Sequence, residues 1–324
     1  MPGQLRMFGL GEEAAGPVGP AAPWPDALLR LGEDLPRTVR LGTSSWSFPG
    51  WEGLVYDRRA SASVLARHGL GAYAAHPLFR AVGVDRSYYA PPAVEVFADY
   101  AAAVPDDFRF LVKAHGEVTS PSSRGRAGSN PRFLDADYAA EEVVGPARAG
   151  LGEKLAAILF QFPSHTGAAC GGARPFRRRL EGFLERLPAG GPYAFEVRAA
   201  NLLGPPLAAV VEGVGGIPCL SVHPSLPGLG EQRAAWGDAF ARAPLVLARW
   251  MLGPGLEYRA AVERYRPFDA LIDVDPHARA GLAELLLAEG ARPALVLVNN
   301  KAEGSAPRSV EALAEALCRR KGTG

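Results

Sequence analysis

Glu196 and Arg198 stand two residues apart in the otherwise apolar run Ala194-Phe195-Glu196-Val197-Arg198. Period two puts both on one face of a strand. A carboxylate beside a guanidinium is either an internal ion pair or a general acid/base tuned by its neighbour, and both readings stand at this point. Lys113 closes a second run, Phe108-Arg109-Phe110-Leu111-Val112-Lys113. A lysine there is costly to bury unless it is paired, with Glu196 for instance, or meets an anion. Arg249 lies in a third run, 244–250, and Asp85-Arg86 ends a fourth, followed by Tyr88-Tyr89. Glu196, Lys113 and Asp85 are the candidate catalytic groups.

Other run ends add ligand-binding candidates. Gly42-Thr43-Ser44-Ser45-Trp46-Ser47 continues to Pro49-Gly50-Trp51, offering hydroxyls and two indoles that could stack on a sugar or base. Trp46 and Tyr88 are the stacking candidates. Gln161 precedes Phe162-Pro163, and Ser221 and His223 follow an apolar run. Asn299-Asn300-Lys301-Ala302-Glu303-Gly304-Ser305 leads into a helical pattern after Pro307. The free N–H groups of a helix start beside Gly304 and Ser305 form an anion site, although the same residue types also build a plain turn and cap. Arg86, Arg198, Arg249, Asn299, Asn300 and Lys301 complete the set expected to hold an anion. Arg124, Arg126 and Arg132 sit in the loop 120–132, placed to close over the same mouth or to lie solvated.

These candidates share a position. Eight short apolar runs recur at 38–44, 81–87, 108–114, 155–161, 193–198, 217–222, 244–250 and 294–299, about one βα unit apart. They are apolar almost throughout, as strands covered on both faces are. Helical patterns fall between them, at 62–75, 92–104, 136–149, 176–187, 202–214, 231–242, from Asp275-Pro276, and after Pro307. Phe176, Leu180, Phe183, Leu184 and Leu187 make one apolar stripe. Eight strands alternating with helices predict a (β/α)8 barrel, with an open doubly wound sheet as the alternative. In such a barrel the chemistry gathers where strands end. The barrel is expected over 38–320, after a flexible Gly/Pro/Ala-rich tail, 1–37, with one short ordered piece near 24–31.

Composition narrows the function classes. Lys+Arg 35 against Asp+Glu 34 gives a net charge of +1, which speaks against coating nucleic acid by bulk charge. The three cysteines, Cys170, Cys219 and Cys318, have no metal-ligand spacing and suit a reducing compartment. With no membrane-length apolar run and no signal-peptide pattern, a cytoplasmic protein is expected. The nucleotide-binding, zinc-protease and serine-hydrolase motifs are absent; GxGxxA matches at Gly69 and Gly9 lack a preceding strand. The sequence leaves the cofactor unknown.

Taken together, these segments resemble the DUF72, or YecE-like, family over roughly residues 38–318. The resemblance rests on 42–47 with Pro49-Gly50-Trp51, on Tyr88-Tyr89, on 108–113 and on Leu159-Phe160-Gln161-Phe162-Pro163. Glu196-Val197-Arg198, Arg249 and Asn299-Asn300-Lys301 through Pro307 complete it. It implies a TIM barrel without an established activity. The family's usual Glu-x-Asn on the second strand reads Gly83 and Asp85 here, and the usual His-Gly after the seventh-strand arginine reads Trp250-Met251-Leu252.

Three functions fit the sequence. The first is an anion-binding barrel, of hydrolase or isomerase type if it is an enzyme. Its ligand would be a phosphorylated sugar, a nucleotide or a nucleic-acid end. The second is a metal-dependent isomerase or endonuclease using Asp85, His115, Glu196 and His223. The third is a non-catalytic accessory protein of DNA metabolism, because Gln4-Leu5-Arg6-Met7-Phe8 resembles the QLxLF peptide that docks on the sliding clamp.

Overall fold

The structure, a computed structural model, describes residues 17–122 and 128–321. Gln4–Phe8 and the loop arginines Arg124 and Arg126 lie outside the described residues. Eight parallel strands close into a barrel in chain order, β1 through β8. They are β1 Val39–Thr43, β2 Phe79–Val84, β3 Arg109–Lys113 and β4 Leu155–Phe162, then β5 Tyr193–Val197, β6 Ile217–Val222, β7 Val246–Trp250 and β8 Ala294–Val298. Each falls on one of the eight apolar runs, and β1 pairs with β8 to complete the ring. The sheet is therefore closed, and the open-sheet alternative falls.

Alternation sorts each strand into two faces. Leu111, Ala157, Leu159, Ala194, Ile217, Cys219, Leu247, Leu295 and Leu297 form the packed lumen together with Ala81. The intervening residues, among them Val112, Phe160, Phe195 and Val296, join the larger core between strands and helices. On β2 to β8 the lumen residues carry odd numbers except on β5, where Ala194 faces inward. Further along the same faces come Lys113, Gln161, Glu196, Ser221, Arg249 and Asn299, each two residues on, and Asp85, four residues past Ala81. An apolar lumen thus ends in a polar layer at the C-terminal mouth.

The helices cover the outer face. Phe176, Leu180, Phe183 and Leu184 of the Ala173–Arg186 helix are buried as the stripe predicts, and Phe183 meets Phe160 edge-on. The Pro276–Ala288 helix begins at Asp275, whose side chain accepts from Ala278 N–H at 2.9 Å. The last helix, Ala306–Lys321, packs on β1 and β8.

Two differences from the sequence reading matter. Residues 17–37 are tied to the barrel: the Asp26–Asp34 helix, Leu35 and Val18 join the core, and Pro20 bridges Tyr56. Arg80 secures the segment by donating to the carbonyls of Gly32, Leu35 and Pro36. The β7–β8 connection also holds a helix, Tyr258–Tyr265, that the strand-and-helix alternation did not require.

Closure needs a close approach of β1 and β2. A Cβ on Gly42 would lie 1.8 Å from Ala81 O, so no side chain fits. Beside it, Tyr73 OH accepts from Thr43 N–H at 2.9 Å and donates to Ala81 O at 3.1 Å. Gly42→Ala is expected to lower the unfolding free energy by ~3 kcal/mol, near the top of the overpacking range, as read by urea unfolding. A change within experimental error would mean that β1 can shift without cost.

Candidate functional site

The layer at the mouth is organised by Arg249. β7 brings it into the lumen, where it is wholly buried. Its Nη1 donates to Glu196 Oε2 at 2.9 Å, and Nη2 donates to both Asp85 oxygens at 2.9 and 3.0 Å. These residues come from β7, β5 and the end of β2, so one guanidinium spans the barrel. Arg198 Nε donates to the second oxygen of Glu196. Burial works against both charges. Arg198 and Arg249 outweigh it at Glu196 and hold that carboxyl down at about 2. Asp85 and Glu196 likewise outweigh it at Arg249, whose pKa is raised. Cys219 Sγ touches Glu196 Oε2 at 3.9 Å, and burial with that negative neighbour pushes the thiol well up, out of nucleophilic range.

Above this layer opens a cleft of about 540 Å³. Asp85, Arg86, Tyr88, Lys113, Gln161, Arg198, Asn299 and Lys301 all line it, so the strand-end rule brought eight of its candidates to one place. Lys113 Nζ lies 4.2 Å from the centre of the Tyr88 ring, and Lys301 Nζ lies 4.4 Å from that of Tyr258. Burial lowers both ammonium groups to about 8; at Lys113 the cations Arg249 and Arg198 add to it while Asp85 and Glu196 oppose it. Arg86 Nη1 donates to Tyr100 OH at 3.0 Å. Within the mouth two guanidiniums, Arg198 and Arg249, are matched by two carboxylates, Glu196 and Asp85. Arg86, Lys113 and Lys301 are the excess.

Other candidates lie elsewhere. Glu196 and Arg249 form the floor below the cleft, and Glu196 has no exposed surface. Trp46 is a core residue: its Nε1 donates to Leu65 O at 3.0 Å and its ring meets Tyr100 edge-on. Trp51 is equally buried, and Phe48 is the aromatic of that loop that reaches the cleft. Asn300, Gly304 and Ser305 form a packed turn. Asn300 Oδ1 accepts from Ala306 N–H at 2.8 Å, and a Cβ on Gly304 would meet Ala270 O at 2.4 Å. The start of the last helix is thus covered by protein, and the cap reading of that turn describes it.

The four proposed metal ligands do not converge. Among the described residues, no three His, Cys, Asp or Glu side chains gather as a metal site. His115 bonds Tyr138 OH through Nδ1 at 2.7 Å, outside the cleft. His223 reaches the cleft wall, bonded to Ser225 Oγ at 2.8 Å; burial and Arg198 lower it to about 4, so it is neutral at pH 7. Arg132 lies over the Tyr138 ring.

Tyr258, Phe48, Ser225 and Met251 line the cleft without having been singled out. Tyr258 rides on the unforeseen helix, and no strand end points to it. Beside the cleft, a second cavity of about 560 Å³ lies against the Pro276–Ala288 helix and is walled by Leu226, Leu229 and Leu285. It shares His223 and Leu252 with the cleft, and Arg233, Asp275 and Glu284 are the charged residues of its own lining.

The family described as "Protein of unknown function DUF72" matches residues 40–323. A DUF72 family protein from Thermotoga maritima superposes with a TM-score of 0.58 at 20% identity, covering 88% of this chain and 99% of that one. One from Enterococcus faecalis gives 0.55 at 19%, covering 86% and 95%. At such identities the likeness shows the fold. No curated protein matches the sequence. Among the described residues, no helix is long and apolar enough to cross a membrane.

Arg249→Met leaves Glu196 buried beside an emptied partner position and is expected to cost about 3–5 kcal/mol, measured by urea unfolding. Because the Glu196 value falls from 4.5 to about 2 on folding, its contribution is complete above pH 4.5 and is lost as pH drops toward 2. Lys113 has the opposite sign. The unfolded chain keeps its proton up to about 10.5 while the folded chain sheds it near 8, so stability rises between those values. Lys113→Met should therefore raise the urea midpoint at pH 7 and lose that gain near pH 10.5; an equal gain at both would refute the burial cost.

Proposed function

The chain belongs to the DUF72 family, and from its cleft we propose that it binds an anionic ligand at the C-terminal mouth of the barrel: a phosphorylated sugar, a nucleotide or a nucleic-acid end. The excess of Arg86, Lys113 and Lys301 over the paired charges below them is the observation that supports this most directly. The volume of about 540 Å³ suits a small ligand. Tyr88, Tyr258 and Phe48 supply flat apolar walls for a sugar or base, the part first given to Trp46 and Tyr88.

If the site is catalytic, acid–base work belongs to Lys113. Its value of about 8 lies near neutrality, and its side chain reaches the cleft. Glu196, with both oxygens bound by arginines and its carboxyl near 2, serves as the counter-ion that keeps Arg198 and Arg249 in place. Asp85 accepts two bonds from Arg249 and presents its remaining surface to the ligand. The donor geometry favours this reading over metal-assisted hydrolysis or isomerisation, since the oxygens such a metal needs are held by guanidiniums.

Titration calorimetry with inorganic phosphate and a hexose phosphate tests the reading. Arg86→Gln and Lys301→Gln should each weaken binding about tenfold or more, the worth of one charge-assisted bond of ~1.5–3 kcal/mol. Affinity unchanged in both variants would reject the site. Salt dependence separates the ligand classes, because a nucleic-acid strand loses affinity with a slope of about 0.7 per phosphate neutralised, and a single phosphate gives a shallow line.

A further inference from the structure

The chain has four lysines against 31 arginines, so arginine is its ordinary cation. Lys154 is a structural lysine: it donates to the Ala101 and Val104 carbonyls at 2.9 Å each and meets Asp106 at 3.2 Å. Lys321 closes the last helix. The remaining two, Lys113 and Lys301, both face the one cleft. Among the described residues neither has a carboxylate within 4.0 Å of its Nζ, and each Nζ rests against a tyrosine ring instead.

An arginine would hold an anion at either position at least as well, through five donors in a fixed fork. A guanidinium keeps its proton under all ordinary conditions, whereas an amine can release it and bond to carbon. Lysine at these two positions therefore supplies a property that arginine would not.

We propose that the cleft's ligand is an anionic carbonyl compound, an aldehyde or ketone bearing phosphate or carboxylate, and that Lys113 forms an imine with it. The inference rests on the anion-binding reading above. In the step, the neutral amine adds to the carbonyl carbon, forming a C–N bond. The resulting carbinolamine loses its C–O bond, and the oxygen leaves as water with both amine hydrogens. No oxidant or reductant takes part. Lys113 is the better placed of the two: it extends from the end of β3 into the cleft, its Nζ against the Tyr88 ring. Lys301 is only 8% exposed and is fixed in the packed turn after β8, where it suits holding the anionic group with Arg86.

The test uses the full chain and pyridoxal 5′-phosphate, an anionic aldehyde, with cyanoborohydride to reduce any imine, followed by peptide mass mapping. The expected result is one adduct per chain on Lys113, suppressed by inorganic phosphate, with Lys154 unlabelled. Lys113→Arg, which keeps a cation at the site, should abolish that adduct, its folding and its anion site being checked by melting and by binding of pyridoxine 5′-phosphate, which has no carbonyl. Labels spread evenly over all four lysines, or an adduct that persists in Lys113→Arg, would overturn the proposal. Tight binding of pyridoxine 5′-phosphate with no adduct from the aldehyde would overturn the imine and leave the anion site standing. An adduct on Lys113 formed equally well by unphosphorylated pyridoxal, together with no binding of pyridoxine 5′-phosphate, would overturn the anionic part of both readings.

Discussion

The mouth of this barrel depends on one guanidinium. Arg249 is fixed to Glu196 on β5 and to Asp85 just past β2; without it Asp85 would lose its guanidinium partner and the sealed Glu196 would keep only Arg198. Its placement follows from the lumen below. Leu247 occupies the same face of β7 one pleat earlier, among leucines and alanines of the other strands. The polar layer therefore stands on a packed apolar floor with few degrees of freedom. Low dielectric strengthens the attraction within the layer and makes any break in it expensive. The lysines above are the ones left without such compensation, and that contrast gives the cleft its chemical character.

The fold was legible because its signal is local and repeated. Buried parallel strands must be apolar on both faces, and eight such runs at βα spacing leave few other arrangements. Period two then put Glu196 and Arg198 on one face of their strand. Depth along the lumen was not legible. Glu196 and Arg198 are two residues apart on one face, yet one is sealed and the other lines the cleft, because Arg249 arrives from a strand some fifty residues away. Asn300, Gly304 and Ser305 show a different limit. The residue types that cradle an anion also make a tight turn, and only the backbone of Ala270 decides between them. Trp46 left its expected place for a different reason: its indole donor finds the carbonyl of Leu65 and is held inward, and Phe48 lines the cleft in its stead. Tyr258 could not be found from strand ends at all, since its helix is an addition to the β7–β8 connection.

The departures from the family pattern agree with this electrostatic arrangement. Where the family usually has an asparagine, Asp85 supplies a charge that Arg249 takes with two bonds. Gly83, where the family usually has a glutamate, packs against the backbone of Ser44, a position where a Cβ would come within 2.8 Å. The second strand thus holds no carboxylate within its span and one just past its end, and the guanidinium of β7 is paired on both sides.

The buried Glu303 has a consequence for how this protein can diverge. Its carboxylate accepts from Asp275 N–H and from Arg279, and its carbonyl accepts from Ile272 N–H. Asp273, next in the chain, is held by Arg264 and Tyr265 from the helix that begins with Tyr258. The turn after β8 and the added helix are thereby registered against each other residue by residue. An insertion or deletion between 266 and 279 would strand a buried carboxylate and displace Tyr258 from Lys301 at the same time. Length variation among relatives should be scarce in that stretch, with point substitutions on its exposed face as the main route of drift.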